Sequence, residues 1–410
     1  MAIITGLSGN EIFCLAEKGY EPGNIIVGNS VHSLGIIGNV GSGLKSLLGG
    51  ELKQITQLIA DGRETAYQRM LQEANSLNAT GITGVDSQLI FHGGNVEFLA
   101  LGSAIHAGRS TPLNKFSTSA DGQELYAQLD AGYRPICFAF GNVAYAMGVG
   151  RGILGGLKTL KRGEIKEYSS IFNQTRHLAL SRIVAHASSH NANAVLGIRT
   201  TILPFSGVNE MLMIGTASHN PQLSADNVNG PYTGIVSSDM TNIEMWNMAS
   251  LGYSPLRLLL GTSVYSLGFV GGVTSVIKSF VRGEINELTK LIYDARENAL
   301  AIINDEAKAI GADDVVGVKT YIYQLGNGLI EFLAIGTAVK KTTAIKTASP
   351  QLPPQAIIVD RDTFYDSIIP NNVNVDVNKG EKPISQGFVS WVVIIFIFFI
   401  FYQVLKRIFF

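Results

Sequence analysis

The chain repeats itself. Gly28, Gly141 and Gly261 are each followed seven residues later by Gly35, Gly148 and Gly268, and twenty-two residues later by Gly50-Glu51, Gly163-Glu164 and Gly283-Glu284. Gly84, Gly197 and Gly317 come thirty-four residues beyond that. The spacing changes only before the last shared glycine, where the third copy carries one extra residue ahead of Gly336, the partner of Gly102 and Gly215. A single inserted residue at that point suggests a hairpin turn. The fold problem is therefore that of one unit of about a hundred residues, used three times.

Each unit opens with a helix-start signature, a capping side chain followed three positions later by glutamate: Ser8 and Glu11, Asp121 and Glu124, Thr241 and Glu244. Gly19-Tyr20-Glu21-Pro22, Gly132-Tyr133-Arg134-Pro135 and Gly252-Tyr253-Ser254-Pro255 end these helices within three turns. The apolar runs Ile25-Ile26-Val27, Phe138-Ala139-Phe140 and Leu258-Leu259-Leu260 predict a buried strand. A glycine-rich apolar segment follows. Its glycine spacing differs between copies and lacks the order of a dinucleotide-binding turn, so close packing against a neighbouring element fits it better than phosphate binding. Gly38, Gly152 and Gly272 are the positions singled out there as assembly contacts.

A long helix is expected to start at each Gly-Glu pair. Leu52, Ile55, Ile59, Gly62, Ala66, Met70, Ala74 and Leu77 recur at helical spacing, as do Ile285, Leu288, Ile292, Ala295, Ala299, Ile303, Ala307 and Ile310. Asn78, Asn191 and Gly311 follow, residue types suited to a left-handed cap. Two strands joined in a hairpin close the unit. The expected class is α+β: three tandem two-layer β-α-β-β domains, each with a short leading helix.

Hydrophobic residues make up 46% of the chain and charged ones 15%, which suits folded domains rather than a disordered array. The net charge is −1, and no basic run precedes the extreme C-terminus, so nucleic acid is not an expected partner. Phe388 to Leu405 is uncharged and apolar, with Trp391 and Tyr402 near its ends and Lys406-Arg407 after it. Eighteen helical residues span about 27 Å, close to the hydrocarbon thickness of a bilayer. That run predicts a transmembrane anchor, and a start without a secretory signal places the repeats in the cytoplasm.

Two charged positions recur in every copy: Arg63, Arg176 and Arg296 on the long helix, and Glu97, Glu210 and Glu331 in the last strand. A structural ion pair, within a chain or between subunits, is the expected role. For metal, His186 and His190 are four apart on one helix face. They align with Glu73/Glu306 and with Leu77/Ile310, so packing at a core position is the competing reading. The two cysteines, Cys14 and Cys137, fall at different repeat positions and form no readable metal knuckle or disulfide framework. No triad, Walker loop or repeated carboxylate pair points to an enzyme.

The run Asp294-Ala295-Arg296, then Ala307-Lys308-Ala309-Ile310-Gly311-Ala312-Asp313-Asp314-Val315-Val316-Gly317-Val318 and Leu333-Ala334-Ile335-Gly336-Thr337-Ala338-Val339, resembles the YbjQ family of small bacterial domains, which carries a heavy-metal-binding label. The resemblance implies a β-α-β-β sandwich and pentameric rings. The expected organisation is YbjQ-like repeats over 6–105, 119–218 and 239–340, a proline-containing stalk over 341–386, and a tail anchor over 387–410. The expected function is a membrane-anchored structural protein that homo-oligomerises into rings or a shell, five-fold being what the resemblance implies, with lipid contacted through 388–405. No cofactor is expected. The alternative is an oligomeric module binding a divalent metal ion or a small ligand.

Overall fold

The computed structural model describes residues 2–33, 50–92, 94–108, 115–145, 163–205, 208–223, 234–266, 286–326, 329–342 and 345–358. The first repeat runs α1 (Gly9–Glu17), β1 (Tyr20–Ser33), α2 (Lys53–Ser76), β2 (Gly81–His92) and β3 (Asn95–Ala107), and the short strand β4 (Phe116–Ser117) leads out of it. The second runs α3 (Gly122–Asp130), β5 (Arg134–Tyr145), β6 (Gly163–Glu164), α4 (Lys166–Ser189), β7 (Ala194–Phe205) and β8 (Val208–His219), with β9 (Val236–Ser237) after it. The third runs α5 (Asn242–Ser250), β10 (Tyr253–Ser266), α6 (Asn286–Ala309), β11 (Asp314–Gly326) and β12 (Leu329–Lys341), and the four-residue α7 (Pro354–Ile357) follows.

In each repeat the hairpin's second strand takes the centre of an antiparallel three-stranded sheet, with the first strand of the repeat on its other side. A fourth short strand completes each sheet, giving the orders β1-β3-β2-β4, β5-β8-β7-β9 and β11-β12-β10-β6. The short helices begin where the capping signatures predict: Ser8 and Thr241 form full capping boxes, and the Asp121 carboxylate accepts from the Glu124 amide. Asn78 and Asn191 adopt φ of 54° and 58° just beyond α2 and α4.

The recurring glycines have two physical jobs. Gly28, Gly141 and Gly261 lie under the long helices so closely that a Cβ would stand 2.1, 2.4 and 2.0 Å from the carbonyl oxygens of Ala66, Ala179 and Ala299. Gly84, Gly197 and Gly317 hold φ of 65°, 61° and 66° at the shift in register between the hairpin strands, a left-handed bulge that a side chain would strain.

Strand parity decides the rest. In β1, Ile26 points at its own helix α2, and Ile25, Val27 and Val31 point the opposite way. In the second repeat that opposite face is covered by the preceding helix: Phe138, Ala144, Leu212 and Ile214 join the core that holds Ile55, Ile59, Ala66 and Met70 of α2. Leu258, Leu260, Val264, Leu333 and Ile335 of the third repeat likewise join the core around α4. Sheets and long helices thus alternate in layers, and α2 and α4 are apolar on two sides because each serves two sheets.

Two expectations are corrected. The long helices do not start at Gly-Glu but two or three residues later, at Lys53 and Lys166. Gly163-Glu164 is instead the strand β6, which pairs antiparallel with Ser266 and Tyr265 of the third repeat, and Glu51 bridges to Tyr145 of the second in the same way. An edge strand of the following repeat supplies backbone partners that outweigh the helix-start preference of glutamate. The second correction is His190, whose side chain is exposed, and so is Leu77 at the aligned position, so the site is not a core position.

Residues 345–358 fold back on the short helices, with Ile345, Leu352 and Ala356 buried in the core that holds Tyr126, Met245 and Trp246. Gly38, Gly152 and Gly272, and the apolar run 388–405, lie outside the described residues. Among the described residues no helix is long and apolar enough to cross a membrane.

Candidate functional sites: two seams and a cysteine-histidine cluster

The repeated Arg and Glu do not pair within a repeat. Arg63 reaches from α2 to Glu210 in β8, with Nε to Oε1 at 3.0 Å and Nη2 to Oε2 at 2.6 Å. Arg176 on α4 does the same to Glu331 in β12 at 2.9 and 2.6 Å. Both pairs are bidentate, and all four side chains are at most 1% exposed. Arg63 also donates to the Ser87 carbonyl and hydroxyl, and Arg176 lies 4.3 Å from the Tyr145 ring centre. Burial opposes the Arg176 charge, but Glu331 overrides it and holds the guanidinium above its ordinary pKa.

The pairs sit in seams built from the same contacts each time. The Leu52 amide donates to the Ala144 carbonyl at 2.8 Å, and the Ile165 amide to Val264 at 2.9 Å. In return, the Ala144 amide donates to the Thr56 hydroxyl and the Val264 amide to the Ser169 hydroxyl, both at 2.9 Å. At the short helices, Glu11 accepts from the Gly122 amide at 3.1 Å, and Glu124 accepts from Asn242. Every repeat therefore offers one half of a seam forward and receives the other half behind.

Among the described residues, two halves lack a counterpart. At the leading end, Ile25, Val27 and Val31 are 38%, 44% and 57% exposed, where Phe138 and Ala144 are buried. Glu97 there accepts from Asn29 at 2.9 Å, as Glu210 does from Asn142 at 3.1 Å, but its second oxygen meets the exposed His92 instead of an arginine. At the trailing end, Arg296 and Glu244 are exposed, and Ile292 is 38% exposed although its equivalent Ile59 is fully buried.

The first seam also gathers a group that sequence spacing conceals. Cys137 Sγ and one ring nitrogen each of His186 and His190 all lie within 4.8 Å of one another. They border a cleft of about 320 Å³ whose other wall comes from the first repeat, including Glu64, Tyr67 and Gln68 of α2. Burial, with the Glu64 charge, pushes the Cys137 thiol up to about 11. Burial and the neighbouring His190 lower the His186 pKa. In the second seam the positions aligned with Cys137, His186 and Glu64 hold Arg257, Glu306 and His177, and His177 Nε2 meets Glu306 Oε1 at 2.9 Å.

A family model described as "Putative heavy-metal-binding", the YbjQ domain, matches residues 18–107, 133–220 and 252–342, well over half of the chain. The chain belongs to the YbjQ family. It is 31% identical over 224 residues to a protein of Mycobacterium tuberculosis named encapsulin nanocompartment protein, covering 52% of this chain and 83% of that one. A UPF0145 protein of Psychromonas ingrahamii is 44% identical over 78 residues, 19% of this chain and 74% of the relative. One from Methanoregula boonei is 42% identical over 81 residues, 20% of this chain and 68% of the relative.

The three YbjQ repeats differ at the cluster. Asn24, Glu73 and Leu77 stand there in the first repeat and Arg257, Glu306 and Ile310 in the third, so a Cys-His-His donor set belongs to the second repeat alone. A cysteine sulfur and two imidazoles are donor types that borderline-soft ions take.

Proposed function

We propose that this YbjQ chain is a non-enzymatic structural protein whose copies associate head to tail, the trailing helix α6 of one chain covering the leading sheet of the next. The observation that carries the reading is the displaced pairing: Arg63 with Glu210 and Arg176 with Glu331 leave Arg296 and Glu97 as the two ends of an interface the chain has already built twice. The exposed apolar residues on both end faces support it, since Phe138, Ala144 and Ile59, the equivalents of Ile25, Val31 and Ile292, are buried where a neighbouring repeat is present. So does the similarity to a relative named as a nanocompartment protein.

A head-to-tail contact is heterologous, and it closes into a ring or continues as a filament. A ring of whole chains laid end to end carries a multiple of three domains. Five positions, the count the family resemblance implies, are not filled by such chains alone. Residues 388–405 form the membrane anchor in this reading, and the assembly stands on the cytoplasmic face of a bilayer as a ring or shell.

Charge reversal tests the contact. Glu97→Arg and Arg296→Glu are each expected to leave the detergent-extracted full chain monomeric by mass photometry, because each places like charges across the new seam. Mixing the two variants restores opposite charges at both kinds of junction and should restore assembly. Two single variants that assemble like the parent, or a mixture that stays monomeric, would overturn the proposal.

A further inference from the structure

We propose that Cys137, His186 and His190 form a metal site for a borderline-soft divalent ion, Zn²⁺ being the probe of choice, set in the seam between the first and second repeats. The donors come from two elements that the fold brings together, β5 for the cysteine and the last turn of α4 for the histidines. Their spread of no more than 4.8 Å compares with about 3.5 Å between donors around a tetrahedral zinc, so side-chain movement of about an ångström closes the site without moving the backbone.

Hydrogen bonding prepares one ring and occupies the other only weakly. His190 Nδ1 lies 2.9 Å from the His186 carbonyl, which can only accept, so the proton is on Nδ1 and the lone pair of Nε2 is available to a metal. The Phe140 amide can only donate to His186 Nδ1, so that nitrogen carries a lone pair, and the contact is a weak one at 3.4 Å. The rings are 4.9 Å apart, centre to centre. A bound divalent ion would displace the thiol proton of Cys137 and hold the thiolate, with the proton leaving to solvent.

The seam supplies two further requirements. The cleft is open, so an ion and a completing water can enter. Glu64, from the facing repeat, acts electrostatically on both Cys137 and His186 and lends the site negative charge. Because this carboxylate belongs to the first repeat and the three ligands to the second, an ion here ties two domains together. The aligned positions in the second seam carry a direct His177–Glu306 pair in the same place. A metal centre and an ion pair are alternative clasps at one position of the repeat.

Co²⁺ titration of the full chain in detergent, under reducing conditions, reads the site directly. The expected result is one Co²⁺ per chain with a thiolate-to-cobalt charge-transfer band in the near ultraviolet and intense tetrahedral bands in the visible, both removed by Zn²⁺. Cys137→Ser should abolish the charge-transfer band, while Cys14→Ser, in a cysteine buried elsewhere, should leave it unchanged. His190→Ala removes an exposed side chain, so the fold stays intact, and it should weaken binding at least about tenfold. An absent band, a band that survives Cys137→Ser, or unchanged affinity in His190→Ala would overturn the site. The reading is independent of head-to-tail assembly, because all three ligands and Glu64 lie within one chain.

Discussion

Arg176 and Glu331 are 155 residues apart, belong to different repeats, and meet in a bidentate pair with both side chains fully buried. A buried pair of this kind adds little net stability over a well-packed apolar substitute, because both charges must leave water. What it adds is discrimination. A sheet without glutamate at this position leaves a buried guanidinium uncompensated, so only another repeat of the same kind fits the helix.

Removing one partner should therefore cost far more than removing both. Arg176→Met or Glu331→Leu alone is expected to destabilise the second seam by about 3–5 kcal/mol, and the double variant by clearly less than either single. Urea unfolding of the four proteins in the double-mutant cycle provides the measurement. Additive losses would show that the two charges do not act as a unit.

The close contact of sheet and helix leads to a second expectation. At Gly141 an added Cβ would stand 2.4 Å from both the Ala179 oxygen and the Ile183 nitrogen, backbone atoms of α4 that cannot rotate aside. Gly141→Ala should lower stability by about 3 kcal/mol or more, against a negligible effect for Gly9→Ala, where nothing lies within 4 Å. Thermal unfolding of the two variants compares them under one set of conditions.

Local signals carried most of one repeat into view. The capping residues Ser8, Asp121 and Thr241 and the left-handed Asn78 and Asn191 act on their own neighbours, so short-range chemistry was enough to place them. The seams were not legible in the same way. Three arginines and three glutamates repeat identically whether they pair within a repeat or one repeat onward, and only packing decides the offset. Glu51 and Glu164 looked like helix starts because the edge strand they pair with lies a repeat away. Cys137 gave no signal at all: nothing in its spacing links it to histidines 49 and 53 residues later, and only the lie of α4 over β5 does.

The second seam should weaken as pH rises. Glu124 faces Asp121, Arg199 and Asn242, and burial first, then the Asp121 charge, raises its pKa to about 7. An acid whose pKa is raised by folding binds more protons in the native state, so its contribution falls as pH climbs from about 4.5 through 7. His177 faces Glu306, the Asn173 carbonyl and Arg257; burial works against its charge, but the hydrogen bond to Glu306 prevails and raises its pKa. A histidine raised in this way contributes fully below its unfolded value of about 6.5 and loses that contribution as pH passes its folded value. Both groups act in the same direction. Native-state hydrogen exchange of β10 and β12 should be slower at pH 5.5 than at pH 8 after correction for intrinsic rates, and Glu124→Gln with His177→Gln should flatten the difference.

The leading sheet offers the sharpest contrast between a residue's effect on folding and on association. Val31 and Ala144 occupy the same strand position one repeat apart, yet Val31 is 57% exposed and Ala144 fully buried beneath the preceding helix. Lysine at Ala144 would put a charge into the first seam and should unfold it. Over half of Val31 is exposed, so a lysine there can keep its charge in water and the melting temperature of the monomer should hardly change. The same lysine would have to be desolvated beneath α6 of a second copy, in the place where Ala144 lies beneath α2. Val31→Lys should therefore produce a stable monomer, read by sedimentation in detergent at several protein concentrations. A Val31→Lys chain that assembles with the parent's mass would mean that copies meet through some other face.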